Sequence, residues 1–109
     1  MFSSLKKEKD FNLVFKKGAK IYSSGLTLVY VKSTENKVGF CVGKKYGGSV
    51  TRNRIKRLLR EAFRSFSLET EQNFFFAFVP KVKEKKEDYS VEEFKNCMRY
   101  IFKKGGFIN

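Results

Sequence analysis

The spacing of apolar residues changes several times along this chain, and each change of period marks an element. Ile55, Leu58, Leu59, Ala62, Phe63 and Phe66 recur at i, i+3, i+4, i+7, i+8 and i+11, one apolar stripe of an α-helix. Phe94, Cys97, Met98, Ile101 and Phe102 repeat the pattern in a final helix, which the capping box Ser90-Val91-Glu92-Glu93 starts and Gly105-Gly106 stops. Asp10 to Lys17 reads as a shorter helix with Phe11, Val14 and Phe15 on one face and Leu13 off it, closed by Gly18 as a C′ residue. Leu26 to Lys32 and Lys37 to Val42 are rich in β-branched and aromatic residues and flank the turn Ser33-Thr34-Glu35-Asn36. They predict an antiparallel hairpin. Asn73 to Val79, NFFFAFV, is the most apolar run and predicts a buried central strand, which Pro80 ends.

The order is α-β-β-α-β-α, with room for a short extra strand near Ile21-Tyr22. It predicts an α+β fold: a small sheet of about four strands with three helices packed mainly on one side. At 109 residues the chain is long enough for one hydrophobic core, so 1–109 is expected to be a single small domain. Phe2 to Lys9 reads as an extended or frayed lead-in, Ser67 to Gln72 as an acidic connection, and Lys81 to Asp88 as a charged, mobile loop.

Charge sharpens the picture at one place. The chain carries 24 Lys or Arg against 11 Asp or Glu, a net +13. Lys44 to Arg64 alone holds eight basic residues and one acid, Glu61, so more than half of the excess sits in about a fifth of the sequence. Opposite the apolar stripe, Asn53, Arg57, Arg60 and Arg64 form a second stripe, flanked by Arg52, Arg54 and Lys56. A merely solvated helix face mixes signs to gain i,i+4 pairs; this one offers a single acceptor. Arg outnumbers Lys five to one between Arg52 and Arg64, and the planar guanidinium suits bidentate phosphate contacts. Lys44, Lys45 and the pair Gly47-Gly48 bring further charge and backbone N–H groups to the helix N-terminus. A nucleic-acid-facing surface follows.

KKYGGSVTRNRIKRLLREAF resembles the signature of the bacterial ribonuclease P protein subunit, centred on Arg52-Asn53-Arg54 and running through Lys44, Lys45, Gly47, Lys56, Arg57, Arg60 and Phe63. The resemblance extends from Asp10 to the last helix and is sharp between Lys44 and Phe63. It implies an RNA-based endonuclease that removes 5′ leaders from precursor tRNA, with catalysis and the catalytic magnesium in the RNA subunit. No catalytic residue, metal site or cofactor is then expected in the protein, and its partners are the RNA subunit and precursor tRNA. RNA contacts are implied for Lys44, Lys45, Arg52, Asn53, Arg54, Lys56, Arg57, Arg60 and Arg64. Asp10-Phe11, Phe15 and Gly18 match the family's N-terminal pattern, whose two aromatics line a cleft for the single-stranded leader. On periodicity alone, docking of the helix on the sheet accounts for both Phe residues. The family often adds an aromatic from the first strand; gapless counting from Gly18 puts Val29 there, and Tyr30 points to the other side. The resemblance also implies a left-handed βαβ crossover, where chain chirality by itself favours the right-handed one.

The composition excludes other classes. With no histidine and two isolated cysteines, Cys41 and Cys97, the usual zinc constellations and imidazole acid–base chemistry are missing; both cysteines read as reduced and buried. No apolar run reaches the roughly 20 residues of a membrane span, and the N-terminus lacks a secretory h-region, so a cytoplasmic protein without membrane or small-molecule partners is expected. The alternative is a basic, ribosomal-type rRNA-binding protein, which needs no leader-binding aromatics. A reader of duplex DNA ranks below both, because no helix-turn-helix partner precedes the basic helix.

Overall fold

The computed structural model describes residues 2–109. The elements run β1 (Ser3–Ser4), α1 (Glu8–Lys17), β2 (Ala19–Tyr22), β3 (Leu26–Ser33), β4 (Lys37–Phe40), α2 (Ser49–Arg64), β5 (Asn73–Pro80) and α3 (Val91–Gly105). Short 3-10 turns occupy Lys44–Tyr46 and Lys86–Asp88. The five strands lie in the order β1-β4-β5-β3-β2. This is an α+β fold with one more strand than the four expected: β2 is the short extra strand, and β1 replaces the frayed lead-in.

The predicted hairpin does not form. β5 inserts between β3 and β4, antiparallel to β3 (Leu28↔Phe78) and parallel to β4 (Phe40↔Phe78). The physical reason lies in β5 itself. Phe74 to Phe78 is buried on both faces, so this strand needs a neighbour on each edge and a layer on each side. The turn between β3 and β4 spans its end: Asn73 Nδ2 donates to the Thr34 carbonyl at 3.0 Å, and the Phe74 N–H donates to Asn36 Oδ1 at 2.9 Å. β4–α2–β5 is thus a parallel βαβ unit.

Alternation along β5 divides the core. Phe74, Phe76 and Phe78 join the larger cluster with Ile55, Leu59 and Ala62 of α2 and Phe94, Met98, Ile101 and Phe102 of α3. Phe75 and Ala77 face the other way and meet Leu5, Val14 and Val29 beneath α1. Two helices therefore cover one face of the sheet and α1 the other. At the N-terminus, Ser3 N–H donates to the Asn36 carbonyl at 3.0 Å and Leu5 N–H to the Val38 carbonyl at 2.9 Å. Phe2 stacks on Phe76 with ring centroids 5.1 Å apart, which ties the lead-in to the core.

Helix ends obey local chemistry, with two departures. Ser90 Oγ accepts from the Glu93 N–H at 3.2 Å, but the Glu93 carboxylate turns to Lys83 Nζ (2.5 and 2.7 Å) instead of closing the box. Gly18 ends α1 in extended backbone, φ −75°, not in the left-handed conformation of a C′ glycine. It is required by space: a Cβ there would press on the Val14 carbonyl, lie 2.9 Å from the Tyr30 carbonyl and 3.0 Å from Val29 Cγ1. Gly106, at φ +78°, does supply the left-handed end of α3.

Candidate nucleic-acid interface

The apolar stripe of α2 fixes the orientation of its basic one. With Ile55, Leu59 and Ala62 buried, Asn53, Arg57, Arg60 and Arg64 are exposed, while Arg52, Arg54 and Lys56 are half-buried on the flanks. Among the described residues, Arg57, Arg60 and Arg64 enter no ion pair; the pairs present are Lys37–Glu35 and Lys83–Glu93. The row of guanidinium groups is left without an acidic partner among the described residues. Arg54 has an internal role as well, since its Nη2 donates to the Tyr89 carbonyl at 3.2 Å.

The approach to α2 is pinned from below. Tyr46 is buried, and its hydroxyl donates to the Pro80 carbonyl at 2.5 Å, with Gly47 in the left-handed region at φ +133°. Burial, reinforced by Tyr89 and Cys41, pushes the Tyr46 phenol up to about 12, so it stays a donor at neutral pH. Lys44 and Lys45 consequently project from an anchored turn beside the helix N-terminus. Tyr89 does a similar job nearby: its hydroxyl donates to the Lys81 carbonyl and accepts from the Lys83 N–H, both at 2.8 Å. The charged loop is held at both ends of that bridge.

A groove of about 1160 Å³ runs along the β1–β4 edge of the sheet. Lys56, Arg60 and Arg64 line one wall, Ser3, Ser4 and Lys6 belong to β1 and its continuation, and Phe11 of α1 closes the far side. Phe11 reaches it because Gly39 leaves room: a Cβ at that position would collide with the Phe11 ring. Cys41 is close enough to Lys56 to feel its charge, yet burial dominates and raises the thiol to about 11, so it is neutral.

The structure thus brings Phe11 to the same groove as Lys56, Arg60 and Arg64, although they are far apart in sequence. Phe15, one turn further along the same face of α1, is 43 % exposed. Val29 is corrected: at 2 % exposure it is packed under Val14 and Gly18 and offers a ligand no surface. Tyr30 does not take its place, because it faces the α2/α3 side, edge-on to Phe107 at 5.3 Å. Sequence patterns missed Phe2, Ser3, Ser4 and Asn36 as groove-lining residues. A two-residue strand has no readable period, and the clue in hand was the isolated Phe2 ahead of a polar stretch.

Among the described residues no three His, Cys, Asp or Glu gather as a metal site, and no helix is long and apolar enough to cross a membrane. The fold and this surface define a small basic α+β protein that presents one helix face of guanidinium groups to solvent. The Ribonuclease P family model matches residues 2–106, and the chain belongs to that family. Ribonuclease P protein components from Clostridium botulinum (strain Loch Maree / Type A3) and Clostridium kluyveri are similar to it. The first is 32% identical, covering 98% of this chain and 97% of the relative. The second is 36% identical, covering 94% and 93%. The fold is shared with the ribonuclease P protein of Staphylococcus aureus (TM-score 0.78, 22% identity, all of both chains). It is shared equally with that of Thermotoga maritima (TM-score 0.77, 24% identity, 94% and 96% covered). Membership makes this an RNA-binding component of the tRNA-processing ribonuclease P complex, partnered with its RNA.

Proposed function

We propose that the outer face of α2 binds the RNA subunit while α1 and the adjoining groove hold the single-stranded 5′ leader of precursor tRNA. The observation that carries this reading is the solvent-facing row Asn53, Arg57, Arg60 and Arg64, without an acidic partner among the described residues. Guanidinium forks match phosphate oxygens, and each phosphate neutralised releases counterions. Arg52, Arg54, Lys56, Lys44 and Lys45 extend the same surface. Phe11 and Phe15 supply ring faces for leader bases, where stacking is worth roughly 1–3 kcal/mol per base and tolerates any sequence.

Hydrolysis belongs to the RNA subunit and its magnesium. The protein's own work is electrostatic and positional: it lowers the repulsion between two RNAs and holds the leader beside the scissile bond. That work takes place in the cytoplasm.

The test is cleavage of a 5′-extended precursor tRNA by the cognate RNA subunit at low magnesium, with and without the protein. Strong stimulation that falls when the leader is cut to a single nucleotide is expected. Binding of RNA without stimulation would favour a ribosomal-type module. In the binding assay, Arg57→Ala and Arg60→Ala each flatten the salt dependence by about one unit; unchanged slopes in both would remove α2 from the interface.

A further inference from the structure

A second groove lies at the opposite edge of the sheet, where the end of β2 meets the outer flank of α3. It encloses about 760 Å³ between Tyr22, Ser23 and Ser24 on one side and Asn96, Cys97 and Tyr100 on the other. That volume is within the range of pockets that accept small organic groups. Both tyrosines are open to solvent, Tyr22 at 62 % and Tyr100 at 52 % exposure.

Their exposure follows from the elements that carry them. Ile21 turns inward toward Gly105 of α3, so Tyr22, the next residue of the strand, projects outward. In α3 the buried set Phe94, Cys97, Met98, Ile101 and Phe102 leaves Tyr100 on the flank. Neither ring is needed by the core. The charge around them is one-sided. Lys103 and Lys104 stand one turn beyond Tyr100, with Lys104 Nζ 5.7 Å from its ring centroid. The acid lining the groove, Glu93, is already neutralised by Lys83 at 2.5 Å.

We infer that this groove is a second subsite for single-stranded RNA, separate from the α2 surface and from the Phe11 groove. Tyr22 and Tyr100 stack unpaired bases, and Lys103 and Lys104 meet the flanking phosphates. Exposed aromatic faces interleaved with cations are the arrangement that holds single strands without reading sequence. A duplex, whose bases are already stacked, has nothing to offer the tyrosines.

The chain has no tryptophan, so Tyr100→Trp introduces a lone indole that reports on this groove. The full-length variant is titrated with a ten-nucleotide oligouridylate, with an RNA duplex of equal length and with a polyglutamate peptide of similar charge. Quenching by the single strand alone is expected. Adding Tyr22→Ser weakens it about tenfold, whereas Tyr22→Phe, which keeps the ring, leaves it within about twofold. Equal quenching by duplex or peptide would reduce the site to a general anion surface. An unchanged affinity in Tyr22→Ser would overturn the stacking role. Arg57→Ala in the same background separates the sites, because it weakens binding of the RNA subunit without moving the indole signal.

Discussion

The two faces of the sheet are built to different standards. On the α2/α3 side Phe76 alone meets Phe2, Tyr30, Phe63, Phe74, Phe78, Phe102 and Phe107, at centroid distances from 5.1 to 6.4 Å. On the α1 side the buried cluster is Leu5, Val14, Val29, Phe75 and Ala77, with Phe11 half-covered at its margin. Offset and edge-on ring pairs each add about 0.5–1.5 kcal/mol beyond burial, so the first face carries most of the stability. The second is thin enough to leave aromatic rings at the surface. Stability is concentrated on one face of this strand, and the proposed leader contacts lie on the other, the two faces being separated by alternate residues of Phe74 to Phe78.

The most severe way to break this division is Phe76→Ala. It should cost about 3–5 kcal/mol, a large share of a small domain's stability, read as a lowered midpoint in urea. A loss below about 1 kcal/mol would show that the aromatic cluster is not the centre of the fold. Gly18→Ala tests the thin face. The atoms in its way are backbone carbonyls, which cannot rotate aside, so α1 must lift; about 1–3 kcal/mol is expected. Hydrogen exchange should then rise in α1 before it rises in α3, and a uniform rise would contradict the independence of the two faces. Phe15→Ala should be the mildest for folding, within about 0.5 kcal/mol for an exposed side chain. It should nevertheless weaken a leader-bearing precursor more than mature tRNA; equal losses would leave the ring without a leader to stack on.

What could be read in advance followed one rule. Properties set by residues within a turn or two of each other were legible: the paired stripes of α2, the buried set of α3, and the apolar run of β5. Properties set by distant partners were not. The hairpin failed because β3 and β4 each look complete as neighbours until β5, much later in the chain, takes the place between them. Val29 was misjudged because its burial depends on the missing side chain of Gly18, which lets α1 close over the strand. The groove shared by Phe11 and Arg60 had no local signature, since one wall comes from α1 and the other from α2. Arg54 looked like its neighbours in the basic run, and the carbonyl of Tyr89 that it reaches lies 35 residues away.

The insertion of β5 has a consequence for how the molecule is made. β3 pairs with β5 from Leu26↔Pro80 to Ser33↔Asn73, and β4 pairs with the same strand from its other edge. Neither edge can close before β5 has been synthesised, so the sheet is completed late. Such long-range pairing makes folding slow relative to helix formation. The basic helix emerges first, while the strand that will form its floor is still missing. Throughout that interval its apolar stripe is uncovered and its arginines are already displayed. The shape in which those arginines are finally presented is therefore set by the insertion of β5, a strand that carries none of the charge.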